Sequence, residues 1–563
     1  MARSIGKTCV NAGAGLFFCA GLVAIAAQVY LVREVMVLFA GNELSLGLVY
    51  SGWFLGIVLG AWAAGLALRH CRAGPLSVCL ASTVLGLFPV IAVATARLWR
   101  VVVDVPAGQL PGLGALVAAT AACVIPVGMA VGVFFPLLCA YFAADGDRKA
   151  IGRGYLWESI GATAGGILVC TVLVGTVPAL PALWLLGSLL LSSWVLLARR
   201  RTLLSGIIVA TVASAVFAGL FRLDRLLVMA RFGSLGTGLE WVDQLETPYH
   251  HLDLAKLGEQ YSLYADGKVI ASWPDPYRSH ARAHLVMCQH PRPRRVLVIG
   301  EAPFELILPL LMHRPESVDV VVADGGIVEL VTSRMPTAAI ESLKDERVHL
   351  HTTDGRRFLV ETEDRWDLIF CDLADPTSAS QNRYYTKEFF ELAASRLARG
   401  GVFVTRLSSS VNYLGHNTAR WVGTIRNSLE TSFKKVLVLP GAENIFVSSN
   451  DTRAPTADPE QLRKRYEQRA VEDGSFTPYL FSGMIQQDLV GDLSHQLARR
   501  STSAVNTDYK PVTFLMGLLR WSQMQKENAG GTVLKAIESI AGWWWFVFAP
   551  LIVVFVWVAA TAG

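Results

Sequence analysis

Apolar runs of about 20 residues, the length a helix needs to cross a bilayer core, follow one another through the first 221 positions. They predict seven spans, over 11–32, 44–68, 75–96, 112–142, 155–176, 179–198 and 203–221. An eighth is predicted over 542–561, behind Trp543, Trp544 and Trp545, whose indoles suit headgroup level. Because span follows span, the first run reads as a membrane segment and not as a cleavable leader. From about 232 onward the period shortens to two. Tyr249–Ala255 and Tyr261–Tyr264 alternate, and Ala265-Asp266-Gly267 turns the chain into Lys268–Trp273, a hairpin signal. Strands then alternate with helices: Arg295–Ile299, Val318–Ala323, Val348–His351, Leu368–Cys371 and Gly401–Thr405, with helices such as Phe304–His313 and Lys387–Ala398 between them. That alternation predicts a parallel sheet with its ligand crevice at the C-terminal strand ends. Residues 451–500 read as polar helix or loop.

Composition supports the division. Of 563 residues, 53% are hydrophobic and 17% charged, against about 25% charged in soluble domains. An ordinary cytosolic enzyme, a disordered chain and a small disulfide scaffold are excluded. The net charge of +5 is unevenly spread: residues 1–221 hold 13 Lys/Arg and 6 Asp/Glu (+7), residues 222–563 hold 37 and 39 (−2). A nearly neutral polar half argues against nucleic acid as a partner. Arg3, Lys7, Arg69, Arg72, Arg148, Lys149, Arg153 and Arg199–Arg201 fall on one set of predicted loops, and only Arg33, Arg97 and Arg100 on the other. The positive-inside rule then predicts a plasma (inner) membrane protein with a cytoplasmic N-terminus and, after seven spans, an extracytoplasmic soluble domain. Gly52/Gly56/Gly60, Gly128/Gly132 and Gly161/Gly165 are small-xxx-small repeats; they predict tight packing within one bundle, with a homodimer face as the alternative. Arg33, Glu34, Asn42, Glu43 and Glu158 lie at the hydrocarbon boundary. They predict an interfacial ion-pair cluster, the alternatives being a ligand or proton path and a docking patch. Cys288 and Cys371, the two cysteines of the polar half, lack any CxxC spacing, so no zinc ribbon or disulfide framework is expected. Their pairing with each other stays open.

The densest chemistry follows a buried strand: Phe370-Cys371-Asp372-Leu373-Ala374-Asp375-Pro376 sets two carboxylates three apart, and Arg383–Phe390 opens the next helix. Together with Glu246-Thr247-Pro248-Tyr249, Leu263–Gly267, Asp275–His280, Asp354-Gly355 and Tyr385–Phe390, this makes residues 235–450 resemble the polyamine aminopropyltransferases, the spermidine and spermine synthase family. Gly41-Asn42-Glu43-Leu44, and Asn506-Thr507-Asp508 before Pro511, are similar to its membrane-fused subgroup. In that family an amine attacks the methylene beside the sulfonium of decarboxylated S-adenosylmethionine, and a carboxylate removes the amine's proton. The resemblance implies Asp372 as base, with Asp375, Tyr249, Asp275, His280 and Tyr385 on the substrate side. It implies Gly300, Asp324, Asp354 and Gly355 on the cofactor side, Asp354 holding the adenine amino group. A pair of loop-capping residues is the plain alternative for Asp372 and Asp375. The expected fold is a multi-pass α-helical membrane domain plus an α/β Rossmann-like (class I methyltransferase-like) domain with an N-terminal β-hairpin subdomain. The expected boundaries are 1–221, 222–275, 276–450, 451–541 and 542–563.

The departures from the family pattern weigh as much as the matches. Where the family has a glycine-rich loop containing an aspartate, this chain reads Gly300-Glu301-Ala302-Pro303-Phe304-Glu305. Proline removes a backbone donor and phenylalanine fills space. Val322 stands where an acidic residue would grip the ribose hydroxyls, with Asp324 two residues on, and Ala281 replaces the glutamate after the Tyr-His pair. The adenosyl cofactor is made in the cytosol, opposite to the predicted side. These features predict a catalytically degenerate domain used for binding a polyamine or other cation, or for assembly of a membrane complex. An active membrane-bound aminopropyltransferase using decarboxylated S-adenosylmethionine is the alternative, and a transporter with a regulatory domain the second. No cofactor is assigned outside the active reading. His280 and His284 stand four apart near His250-His251, and His349 and His351 share a strand face. With no third ligand at fixed spacing, no metal is assigned. The expected partners are the bilayer, membrane or periplasmic proteins, and a second copy of the chain.

Overall fold

The computed structural model describes residues 2–524 apart from 107–108, 110, 144–149, 198–202, 410–414, 452–453 and 500–502, and without the side chains of 2–12, 143, 150, 192–213, 498 and 521–524. The predicted eighth span with its three tryptophans, and Arg148, Lys149 and Arg199–Arg201, lie outside the described residues, as do the side chains of Arg3 and Lys7. Helices occupy each of the seven earlier runs: Ala2–Leu38, Leu44–His70, Pro75–Val102, Leu113–Ala119 continuing into Ile125–Ala143, Ala150–Leu168 continuing into Val174–Thr176, Ala179–Leu197 and Leu203–Gly233. Among the described residues five stretches are long and apolar enough to cross a membrane: Gly13–Leu38, Leu44–His70, Pro75–Val102, Leu113–Phe142 and Ile151–Thr176. Three helices run past their expected ends, to Leu38, Val102 and Gly233. Arg33, Arg97 and Arg100, read as loop charges, therefore belong to helices. Each charge is satisfied inside: Arg33 and Arg97 by carboxylates, Arg100 by the carbonyls of Gln109 (2.9 Å) and Pro106 (3.4 Å).

The glycine repeats are used within the chain. A Cβ on Gly60 would fall 2.2 Å from the Met129 carbonyl oxygen, and one on Gly132 would fall 2.3 Å from that of Ile57. A Cβ on Gly161 would fall 2.0 Å from Phe18 O, so the Gly161/Gly165 repeat seats the first helix. Backbone-to-backbone approach of this kind yields dispersion where lipid offers no hydrophobic drive. Gly132→Val should therefore lower the melting temperature of the detergent-solubilised chain, while Gly152→Val, which meets open space, should not. Overpacking of this sort costs about 1–3 kcal/mol.

The chain divides into two compact units, one up to Trp273 and one from Pro274 onward, Glu329–Ser333 excepted. Besides the apolar helices, the first unit holds an antiparallel sheet in the order β1 (Glu240–Glu246), β2 (His251–Leu257), β3 (Gln260–Ala265), β4 (Lys268–Trp273). Asp266 (φ 48°) and Gly267 (φ 78°) form its tight turn, the left-handed pair that a two-residue hairpin demands. Val37 O lies 2.0 Å from where a Gly267 Cβ would stand, and Gly41 sits against Asp266. The Gly41–Leu44 stretch is thus a seat for the turn, with Asn42 Oδ1 capping the second helix through Leu44 N at 2.9 Å.

The second unit is a seven-stranded Rossmann-like sheet ordered β10-β11-β9-β8-β5-β6-β7. β5 (Arg295–Gly300), β6 (Ser317–Val322), β7 (Val348–Thr352), β8 (Trp366–Asp372) and β9 (Leu397–Ser408) are parallel, as expected. β10 (Lys435–Leu439) and β11 (Glu443–Ser449), not anticipated, close one edge antiparallel. The helix expected over Lys387–Ala398 stops at Ser395, where β9 begins two residues later. Leu297, Ile369, Phe389, Phe403, Trp421 and Ile425 are fully buried in one core. The polar tail is threaded into it. Asn506, fully buried, donates to Tyr385 O (2.9 Å) and Asn382 Oδ1 (3.2 Å) and accepts from Thr513 N (3.2 Å). Asp508 receives Arg356 Nη1 (2.9 Å) and Thr386 Oγ1 (2.8 Å).

Candidate functional site

β5 pairs with β6 on one side and β8 on the other, so the sheet reverses its winding there and a crevice opens at their C-terminal ends. Gly300 and Asp372 are register partners at that point. The Asp372 side chain is 9% exposed, and its Oδ1 accepts from Arg406 Nε and from Arg282 Nη1 at 3.4 Å. Burial alone would raise this carboxyl; the two guanidinia outweigh it and hold it below the usual carboxylate range. Both arginines also bind Glu443, Arg282 Nη2 at 2.7 Å and Arg406 Nη1 at 3.1 Å, and Arg278 Nη2 joins at 2.5 Å. Glu443 is held down by the same charges against its burial. The group expected to accept a proton is therefore one member of a five-membered ion network whose hub is Glu443. Arg282, Arg406 and Glu443 escaped the sequence reading, although an arginine directly after the apolar run Val402–Thr405 is a signal of an internal partner.

Asp375, Tyr385 and Asp275, also on the expected substrate side, serve backbone and helix ends. Asp375 Oδ1 accepts from Ser408 N at 2.8 Å. Tyr385 is fully buried, its hydroxyl 2.9 Å from Arg406 O and 3.1 Å from Ala374 O. Asp275 caps the helix Pro276–Met287 through Arg278 N (3.2 Å), and its own N–H donates to both oxygens of Glu305 (3.1 Å). Burial pushes Glu305 up to about 7. Tyr249 belongs to the first unit, 64% exposed in the turn between β1 and β2.

On the expected cofactor side, Asp354 caps the helix Gly355–Glu361 (Arg357 N, 2.9 Å) and accepts Tyr384 Oη at 2.7 Å. Gly355 is obligatory, since a Cβ would sit 2.4 Å from Ile299 Cγ2. Asp324 accepts Gly326 N at 2.9 Å and opens the helix Gly325–Thr332. Phe304 is 1% exposed, and Pro303 packs over Gly300. Glu301 accepts from Gln381 Nε2 at 2.9 Å. Cys288 and Cys371 are free, buried thiols, not paired with each other.

His280 and His284 converge on Asp473, a partner beyond the reach of spacing arguments. The ligand-type atoms of the three lie within 4.8 Å of one another. The surrounding hydrogen bonds decide what they can do. Arg469 Nη1 lies 2.9 Å from His313 Nδ1 and can only donate. Neutral His313 then carries its proton on Nε2 and gives it to His284 Nδ1 at 2.8 Å. The His284 proton is left on Nε2, pointing at Asp473 Oδ2 at 2.7 Å, and His280 Nδ1 donates to the same oxygen at 2.6 Å. Burial keeps His284 and His313 neutral, pushing both below the ordinary histidine range. The nitrogen a cation would need is thus a donor, and the cluster is a relay that fixes tautomers. His351 pairs with Asp319 (3.0 Å), and His250 with Asp266 (2.8 Å).

The boundary charges of the first unit form a second buried network. Glu34 binds Arg97 (2.6 Å) and Arg231 (3.6 Å), and Arg97 also binds Asp224 (2.8 Å). Arg231 binds Asp253 (2.8 Å), His251 bridges Asp253 (2.9 Å) and Glu246 (2.5 Å), and Glu246 closes on Arg33. Burial opposes a charge on His251, but Asp253 and Glu246 push it up to about 10; Asp253, despite its burial, is pulled down to about 2 by His251 and Arg231. With His251 charged, four cations meet four anions. Of the predicted boundary set, Arg33 and Glu34 belong to this network, whereas Glu158 sits half-buried on the helix Ala150–Leu168.

The profile of the spermine/spermidine synthase domain matches residues 277–442. A polyamine aminopropyltransferase of a Synechococcus strain is 29% identical over 228 residues, 38% of this chain and 73% of that protein. Polyamine aminopropyltransferase 2 of Hyperthermus butylicus is 30% identical over 218 residues, covering 37% and 68%. That of Bacillus subtilis is 30% identical over 164 residues, covering 29% and 59%. The solved spermidine synthase of Thermotoga maritima aligns at 18% identity over 46% of this chain and 88% of that one, with a TM-score of 0.36.

Proposed function

The chain belongs to the spermine/spermidine synthase family of polyamine aminopropyltransferases, and from that premise we propose that its synthase-like domain has given up aminopropyl transfer and serves a membrane protein as a ligand-binding or assembly module. The observation that carries this is Asp372. A general base needs a free lone pair facing the amine and a pKa not far below the working pH. Here two internal guanidinia share Oδ1 and their charges hold the carboxylate low, so it is the second requirement that fails. A polycationic substrate would enter beside Arg278, Arg282 and Arg406, against charge repulsion.

The adenosyl side supports the same reading. The adenosyl cofactor needs an open loop that lets the backbone approach it, whereas Pro303 offers no N–H and Phe304 is packed into the protein. Asp354 and Asp324 are occupied as helix caps. The competing reading, an active transferase, is favoured by the survival of Asp372 and Asp375 at the strand end. One assay separates the two: the full-length chain in detergent with decarboxylated S-adenosylmethionine and putrescine or spermidine. No methylthioadenosine release, and the same blank for Asp372→Asn, is expected. Turnover abolished by Asp372→Asn would establish the transferase instead.

The five apolar helices support a membrane location. On the basic-residue count we further propose a cytoplasmic N-terminus and an extracytoplasmic synthase-like domain. A phosphatase reporter fused after Met524 should be active and a cytoplasm-only fluorescent fusion dark; the reverse pattern rejects this sidedness.

A further inference from the structure

Beside the Asp372 network the second unit carries a cavity of about 470 Å³, large enough for a small organic molecule. Its wall is the face of the helix Pro276–Met287 that presents Arg278, Ala281, Arg282 and Leu285, at helical spacings of three and four. The β10–β11 turn supplies Leu439, Glu443 and Ile445, and Met484 closes the side. Most of the lining is therefore apolar, with its charge gathered on one edge.

That edge is unbalanced. Arg278, Arg282 and Arg406 face two carboxylates, Asp372 and Glu443, an excess of one positive charge. The excess lies at the mouth, because Arg278 has a side chain 62% exposed while those of Arg282 and Arg406 are 14% and 16% exposed. Asp275, three residues before Arg278, caps the helix backbone and does not line the cavity. A guanidinium carries five N–H donors and favours a carboxylate, and Glu443 already takes one contact from each of Arg278 and Arg282, one on each oxygen. One further anion would complete the balance, and the apolar wall would take its hydrocarbon body.

We propose that this cavity binds an organic monocarboxylate with an apolar body, its carboxylate on Arg278 and Arg282 and its chain against Leu285, Leu439, Ile445 and Met484. The inference rests on the reading above, that the domain no longer handles polyamines, and it names the ligand class for the binding role. The ligand's charge is opposite to that of a polyamine, so the two are separable by experiment.

The test is calorimetric titration of the full-length chain in nanodiscs with hexanoate, hexylamine and spermidine as probes. Saturable binding of hexanoate alone is expected. Arg278→Gln should weaken it about tenfold, the weight of one charge-assisted contact. Ala281→Phe, which fills the cavity from a partly exposed helix position, should abolish it at unchanged melting temperature. Hexylamine binding as well as hexanoate, hexanoate binding indifferent to both substitutions, or no hexanoate binding at millimolar concentration would each overturn the ligand class. Silence from spermidine in that last case leaves the non-transferase reading standing. Saturable spermidine binding with methylthioadenosine release overturns both.

Discussion

Arg97→Met should destabilise the chain by about 3–5 kcal/mol, the usual cost of removing one partner from a buried ion network. Arg97 is 4% exposed and joins Glu34 to Asp224. Without it Glu34 keeps only Arg231, at 3.6 Å, while Asp224 retains the backbone N–H of Leu180 at 3.1 Å. The larger share of the loss should therefore trace to Glu34, and Glu34→Gln added to Arg97→Met should restore part of it. Strict additivity in that double-mutant cycle, read as melting temperature in detergent, would sink the idea of a coupled network. The pH dependence carries a sign of its own. His251 has a folded value of about 10 against roughly 6.5 in an unfolded chain. Its contribution is complete below roughly 6.5, declines above it and is gone once pH passes about 10. Asp253, lowered to about 2, contributes above roughly 3.9 and is lost as pH falls through about 2. Stability should therefore fall on the alkaline side between these limits, and His251→Gln should flatten that limb.

The network also explains where sequence reasoning succeeds and where it stops. Hydropathy places seven helices because a 20-residue apolar run has few other stable states. It misplaces three of their ends because a window averages away a buried charge that has found its partner. Arg97 counts as a loop residue by composition and as a helix residue by structure, since Glu34 and Asp224 cancel the penalty that composition assigns it. The parallel strands were legible from their apolar runs, such as Val296–Ile299. β10 and β11 were not, because the edge strand β10 opens on Lys435 and β11, paired on both sides, carries the buried polar residues Asn444, Ser448 and Ser449. At the crevice the motif residues Asp372, Asp375 and Asp354 could be located by their order along the chain. Their partners could not: Arg406 lies 34 positions from Asp372, and Asp473 lies 189 from His284. A carboxylate's role depends on that partner, and only the folded sheet supplies it.

The partner's weight at Asp372 is itself open to measurement. Arg406→Met should cost about 3–5 kcal/mol as well, because Asp372 would keep only Arg282 at 3.4 Å. Asp372 is depressed in the folded chain, so its contribution to stability is present above roughly 3.9 and is lost as pH falls below that. Removing Arg406 should raise the carboxyl, and the acid limb of the stability curve should flatten with it. The ligand preference should move in step. With Arg406 gone, two guanidinia face two carboxylates, and the attraction for an anion disappears. Adding Arg282→Gln leaves one net negative charge, so hexanoate binding should vanish and spermidine binding should emerge. Conservative Arg406→Lys should retain the anion preference while losing the forked geometry. If the folded double variant still rejects spermidine, the charge balance at Asp372 and Glu443 does not set what this cavity admits.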